Sequence, residues 1–326
     1  MRIAAFEVRP DEIRDFHEIS EKLGVDVVLH TEVSSLDNVK LVEGFDGVST
    51  LGMCHLNREL LDAWKAAGVR YISTRTIGYN HIDVDYAKKI GIRVCNAAYE
   101  PHGVADFTIM MILMSLRNYK QAFWRGKVND FSLAGLQGRE MKDLTIGVMG
   151  TGKIGTQVIK ELTGFGCRIL AYDVRENDAV KEYASYVDLD TLYAESDVIT
   201  LHMPLLPSTQ YIINDESIAK MKDGVVLINC ARGGLCNIES LITGIETEKI
   251  GALGMDTVEG EEDIIHADHR IDILANRNWF YLHQFRNVIM TQHMAFYTDA
   301  AVKSMVECGV AGIWQMAHNQ NCLTEL

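Results

Sequence analysis

Three side chains suited to polar chemistry follow directly on apolar, β-rich runs. They are Arg232 in NCARGG after GVVLINC, Glu261 in MDTVEGEED after IGALGMD, and His293 at the close of NVIMTQH. Their separations of 29 and 32 residues each amount to one αβ unit. A parallel sheet would therefore bring all three to its carboxyl edge, where open α/β sheets bind ligands. A guanidinium grips a carboxylate through two parallel hydrogen bonds, which lysine cannot do. A carboxylate on one imidazole nitrogen stabilises the imidazolium and leaves the other nitrogen to exchange a proton with a carbonyl or hydroxyl oxygen. This set would serve the interconversion of a 2-keto and a 2-hydroxy acid beside a hydride carrier. Gly233 and Gly234 are expected to leave room for that ligand to approach.

A hydride carrier has its own signature upstream. In LTIGVMGTGKIGTQVIKELTGFGCRILAYD, Gly150, Gly152 and Gly155 form GxGxxG between an apolar strand and a helix. The first glycine permits a tight turn, the second lets backbone approach a pyrophosphate, and the third lets helix and strand pack closely. Asp173 ends the next strand, where an acidic residue accepts hydrogen bonds from the ribose hydroxyls and would repel a 2′-phosphate. NAD is thus expected rather than NADP, with Arg175 nearby to soften the preference.

These residues require two α/β domains. Residues 1–101 alternate β-rich runs (RIAAFEV, VDVVLH, GVSTL, VRYIST, IRVCN) with helical stretches at 10–23, 58–67 and 83–90, which predicts a parallel sheet. A second series runs through LTIGVMG, CRILAYD, SDVITLHM, GVVLINC, IGALGMD and NVIMTQH. Residues 104–124 read as one long helix, apolar nearly all round, linking the domains; Met110, Met111 and Met114 would be its core. The helical segment at 298–316 would pack back on the first domain. The expected fold is two Rossmann-like or flavodoxin-like parallel-sheet domains with a cleft between them: a discontinuous substrate domain of residues 1–101 and 297–326, and an NAD-binding domain of 102–296.

Composition narrows the partners. The 326 residues suit two domains, and a net charge of −14 repels nucleic-acid backbones and anionic membrane surfaces. The longest apolar run, near 107–116, is about half of what a membrane-spanning helix needs. The start MRIAAFEV carries no secretion signal, so a cytoplasmic location is expected. Seven scattered cysteines without a CxxC pair indicate core residues rather than disulfides or zinc. His266 and His269 lie close together in HADH but lack further ligands nearby, so no metal is expected.

Seven segments, STRTIGYNHID, NAAYEPHGVADFTIMMILM, GVMGTGKIGTQVI, HMPLLPST, LINCARGGL, GMDTVEGEE and QHMAFYT, carry a resemblance over nearly the whole chain. It resembles the D-isomer-specific 2-hydroxyacid dehydrogenases, nearest to their D-lactate dehydrogenase branch with its vancomycin-resistance members. The resemblance implies Arg232, Glu261 and His293 as catalytic residues, with backbone amides near Ile77 and Gly78 helping Arg232 to hold the substrate carboxylate. It implies cofactor contacts from Gly150, Gly152, Lys153, Ile154, Gly155, Asp173, Pro204, Thr209, Cys230, Ala231 and Asp256, the last on the nicotinamide side. His202 is open to two readings, a contact on that side or a structural histidine at a strand end. Tyr99, Phe296 and Tyr297 would line the substrate pocket, together with Leu51, which stands where some D-lactate enzymes carry tyrosine. His81 and Asp83 would fix the shape of the carboxylate-binding turn. A homodimer is implied as well.

The chain departs from the family pattern at Gln292, where proline is usual, at Cys236 and Asn237, where Val or Ile and Asp are common, and in the turn AYEPH with Glu100 and His102. Pyruvate and D-lactate are the leading substrate pair. The alternatives are a larger branched or aromatic 2-keto acid and, in a different class, a dinucleotide-sensing protein of the corepressor kind.

Overall fold

The computed structural model describes residues 1–262 and 264–326. The chain forms two compact units, Met1–Glu100 with Tyr297–Leu326, and Pro101–Phe296.

The first unit opens with β1 (Arg2–Ala5), α1 (Ile13–Leu23), β2 (Asp26–Leu29), β3 (Gly47–Thr50), α2 (Arg58–Ala66), β4 (Tyr71–Thr74), α3 (Val84–Lys89) and β5 (Arg93–Cys95). Its five strands are parallel in the order β2-β1-β3-β4-β5. The period-2 alternation of side chains sends Ala4 to one face, against Val48, Leu61, Trp64 and Ile72, and Ile3 and Ala5 to the other, against Phe16. Asn57 and Asp83 accept from the Leu60 and Tyr86 N–H groups to start α2 and α3.

The second unit continues with α4 (His102–Leu116), α5 (Tyr119–Lys127), β6 (Thr145–Met149), α6 (Lys153–Leu162), β7 (Arg168–Tyr172), β8 (Ser185–Tyr186), α7 (Leu189–Glu195) and β9 (Val198–Leu201). It is completed by α8 (Asp215–Lys220), β10 (Val225–Asn229), α9 (Ile238–Glu246), β11 (Ile250–Met255), α10 (Arg277–His283) and β12 (Val288–Met290). All seven strands are parallel, in the order β12-β11-β10-β9-β6-β7-β8, so the winding reverses at β6. Brief β8 has no counterpart in the sequence reading. Afterwards the chain returns to the first unit as α11 (Asp299–Ala317), whose Val306, Val310, Ile313 and Met316 pack with Ile3, Ala5 and Phe16.

The single helix expected over 104–124 is instead two. α4 closes at Arg117, and Asn118 takes a left-handed backbone (φ 50°), which a short polar side chain tolerates. The Asn118 Nδ2 group donates to the Gln137 carbonyl, and the freed Leu116 carbonyl accepts from the Arg139 N–H. α4 buries Val104, Ile109, Met111 and Ile112, whereas α5 buries nothing and leaves Phe123 and Trp124 exposed. Met110, expected in the core, is also exposed. Among the described residues, no helix is long and apolar enough to cross a membrane.

Candidate active site

The carboxyl ends of neighbouring strands in the second unit carry the candidate residues. Arg232 follows β10, Asp256 and Glu261 follow β11, and His293 follows β12, three adjacent strands. Glu261 is nearly buried, and its Oε1 lies 2.8 Å from His293 Nδ1 while its Oε2 accepts from the Val258 N–H at 2.7 Å. A carboxylate at Nδ1 requires the proton there, so the other ring nitrogen, Nε2, is left for chemistry.

Asp256 is fully buried and holds the segment around His293. Its Oδ1 accepts from Thr291 Oγ1 (2.6 Å) and the Met294 N–H (2.8 Å), and its Oδ2 accepts from the Ala295 N–H (2.8 Å). Charge-assisted bonds of this kind fix a loop firmly. They fall on both sides of Gln292, where a proline would otherwise stiffen the backbone.

Arg232 is half-buried, and no carboxylate among the described residues pairs with it. Its Nη1 donates to the Ala231 carbonyl at 2.6 Å. The turn beneath it is shaped by Asn229, whose Oδ1 accepts from the Ala231 N–H and whose Nδ2 donates to the Arg232 carbonyl. On the side where a Cβ would stand, the two following glycines face protein. A Cβ on Gly233 would stand 2.3 Å from the Val258 carbonyl carbon, and one on Gly234 would stand 3.0 Å from the Leu205 side chain. Their hydrogens admit protein, locking the Arg232 turn against the loop that leads to Glu261. The Tyr211 hydroxyl, bonded to Glu259, fastens the same loop.

Cys236 and Asn237 are readily accommodated. Cys236 is buried, which pushes its thiol up to about 12, and Asn237 caps α9 by accepting from the Ser240 N–H, as aspartate would.

The cofactor candidates lie at the reversal of the sheet, next to these strands. Gly150 (φ 97°) turns the chain so tightly that a Cβ would meet the His202 backbone at 2.7 Å, and a Cβ on Gly155 would meet the Gly150 carbonyl oxygen at 1.9 Å. Gly152 has nothing within 4 Å of its Cβ position. It precedes α6, whose first turn has no side-chain cap, so Lys153, Ile154 and Gly155 open a helix N-terminus that favours negative charge.

Asp173 accepts from the Thr151 N–H at 2.6 Å, tying the second strand to the glycine turn. A chain of bonds missed by sequence reasoning continues from Thr151 Oγ1 to the Tyr186 hydroxyl, which accepts from the Asn177 N–H. Thr209 staples the HMPLLPST loop, accepting from the Leu206 N–H and donating to the Pro204 carbonyl. Cys230 is buried, which pushes its thiol up to about 12.

His202 Nε2 meets Thr200 Oγ1 at 2.9 Å, while its Nδ1 is buried without a partner and burial pulls the imidazole down to about 3. The open Gly152, the uncapped α6 and this orphaned nitrogen fit a bound dinucleotide.

Phe296 lies in the second unit, edge-on to His293 with ring centres 6.4 Å apart. Leu51, Ile77, Gly78, Tyr99 and Tyr297 lie in the first. Leu51 is buried, with its N–H donating to Glu7 Oε2 at 2.8 Å; buried Glu7 also takes the Met53 N–H and was not singled out from sequence. The carbonyls of Ile77 and Gly78 accept from Asn96 Nδ2 and Thr76 Oγ1, respectively. His81 reaches Thr74 Oγ1, and Asp83 caps α3. His269 pairs with Asp272, and no group of three potential metal ligands occurs among the described residues.

A glycine-rich turn opening a helix at the reversal of a parallel sheet, with a carboxylate–imidazole pair on the same edge, defines a dinucleotide-dependent α/β oxidoreductase. Residues 109–295 match the family described as "D-isomer specific 2-hydroxyacid dehydrogenase, NAD binding domain". An "Aromatic 2-oxoacid reductase" of Clostridium sporogenes is 43% identical over 324 residues, 99% of this chain and 98% of that protein. A "D-specific alpha-keto acid dehydrogenase" of Enterococcus faecium is 40% identical over 94% of each chain. Among solved structures, D-lactate dehydrogenase from Escherichia coli superposes with a TM-score of 0.90 and 33% identity, covering 100% of both chains. The chain belongs to the D-isomer specific 2-hydroxyacid dehydrogenase family, an oxidoreductase family with an NAD-binding domain.

Proposed function

We propose that this protein reduces a 2-keto acid to the corresponding D-2-hydroxy acid with NADH, and runs the reverse with NAD. The observation that carries the reading is the 2.8 Å contact between Glu261 Oε1 and His293 Nδ1. Glu261 occupies Nδ1 of His293, so that Nε2 gives its proton to the substrate oxygen in reduction and takes it back in oxidation. Arg232, half-buried and without a carboxylate partner among the described residues, binds the substrate carboxylate and orients the keto carbon. The bound nicotinamide supplies or accepts the hydride. Asp256 and Thr291 hold the His293 loop, and Gly152, Lys153, Ile154 and Asp173 receive the dinucleotide.

Of the side-chain sizes that the sequence left open, the larger is the better supported. The relative at 43% identity is an aromatic 2-oxoacid reductase, and the smaller Leu51 stands where some D-lactate enzymes carry tyrosine. Pyruvate with D-lactate is the second reading, favoured by the full-length match to the Escherichia coli D-lactate dehydrogenase structure. A cytoplasmic location and a homodimer belong to the same proposal; the exposed Phe123 and Trp124 on α5 offer an apolar face for a second copy.

The test is NADH oxidation followed at 340 nm with phenylpyruvate, 2-ketoisocaproate and pyruvate, and the reverse with D- and L-hydroxy acids. A higher kcat/KM for phenylpyruvate than for pyruvate, with D-only oxidation, supports the first reading, and the opposite ranking supports the second. NADH binding without turnover of any acid would make a dinucleotide sensor the better description.

A further inference from the structure

The peptide that joins His293 to Met294 is held on both sides. Its N–H donates to Asp256 Oδ1 at 2.8 Å, and its carbonyl oxygen lies 3.3 Å from His266 Nε2. His293 has φ 52°, in the left-handed region that disfavours any residue with a Cβ. Such a backbone persists where the surroundings over-determine it, and it directs the side chain, because the Cα–Cβ bond turns with the peptide planes on either side. The Asp256 bond fixes one edge of the plane that follows His293, and the opposite edge needs a donor. His266 is exposed, so packing does not account for its placement, and its own backbone is left-handed as well (φ 62°). Its ring centre is 6.2 Å from that of His293 and 6.3 Å, edge-on, from that of Phe296.

We propose that His266 is a positioning residue for His293, donating from Nε2 to the His293 carbonyl and so fixing the peptide plane that aims the imidazole. The inference rests on reading His293 as the acid-base group. Both the neutral form protonated on Nε2 and the imidazolium supply the donor, so the device does not depend on a change of charge. Glutamine can bring its amide nitrogen close to the place of Nε2, whereas phenylalanine keeps a ring against Phe296 and offers no donor.

The experiment compares wild type, His266→Phe and His266→Gln with the best keto acid. Loss of one hydrogen bond of ordinary strength predicts a kcat for His266→Phe lower by about 3- to 10-fold, with KM and NADH affinity nearly unchanged. His266→Gln should recover most of that loss. The Met294 amide resonance, which adjoins the carbonyl, should move in His266→Phe and return in His266→Gln. Wild-type kcat in His266→Phe, no recovery in His266→Gln, or an unmoved resonance overturns the proposal. If His293→Ala keeps wild-type turnover, the acid-base reading fails instead, and the Met294 resonance still decides whether His266 holds the peptide.

Discussion

Gly233 lies against Val258 so closely that a side chain of any size would overlap the Val258 carbonyl. The loop bearing the cation and the loop leading to the carboxylate therefore pack directly against each other. Gly233→Ala should separate them, at a cost in stability of about 1–3 kcal/mol for overpacking. We expect kcat/KM to fall at least about 10-fold, the usual price of misplacing a catalytic group. NADH affinity, measured by fluorescence titration, should change little. Full activity in this variant would mean that the contact is slack.

Arg232→Lys keeps the charge but loses the planar fork. Steady-state kinetics should show KM for the keto acid raised strongly and kcat lowered, since a point charge binds the carboxylate without orienting the carbonyl. Unchanged kinetics would remove Arg232 from the carboxylate site.

For His293→Ala we expect a rate loss of roughly 10²-fold or more, and Glu261→Gln should fall between that and wild type. His293 must carry its proton for reduction and lack it for oxidation. Reduction and oxidation should therefore respond to pH in opposite senses. Parallel pH–rate profiles in the two directions would contradict this assignment.

Acid should weaken the second unit through His202. Burial pulls its imidazole down to about 3, so below about pH 6.5 the unfolded chain takes up a proton that the folded chain does not. Stability is complete above that pH and is lost as pH falls toward 3, by about 2 kcal/mol at pH 5 from this residue. Urea melts at pH 7 and pH 5 should show a smaller difference for His202→Gln than for wild type. An equal difference would show that His202 is protonated in the folded protein.

Much of the fold was legible because it rests on local pattern. Strands β1 to β7 and β9 to β12 correspond to apolar runs that end in turn residues, and Gly150 and Gly155 make the close backbone approaches their spacing announced. The helix break at Asn118 was hidden because the apolar residues on either side continue the helical pattern, and only the backbone of one asparagine interrupts it. The residues that hold the site in place were less visible. Asp256, Thr151, Tyr186, Glu7 and His266 act through partners on other loops, and no spacing in the chain reports such pairings. Asn229 could have been found, since an asparagine at a strand end ahead of a glycine-rich turn often bonds its own backbone. For the glycines after Arg232, sequence shows that space is needed without showing that Val258 and Leu205 fill the Cβ side.

Helix α11 packs with Ile3, Ala5 and Phe16, from which the whole second unit separates it along the chain. The second unit is thus an insertion whose whole length must leave the ribosome before the first unit can complete its core. Until α11 emerges, Ile3 and Ala5 have α1 but not α11 packed against their face of the sheet. A chain interrupted ahead of α11 should accordingly leave the part of that face that Val306, Val310 and Ile313 cover open to chaperones.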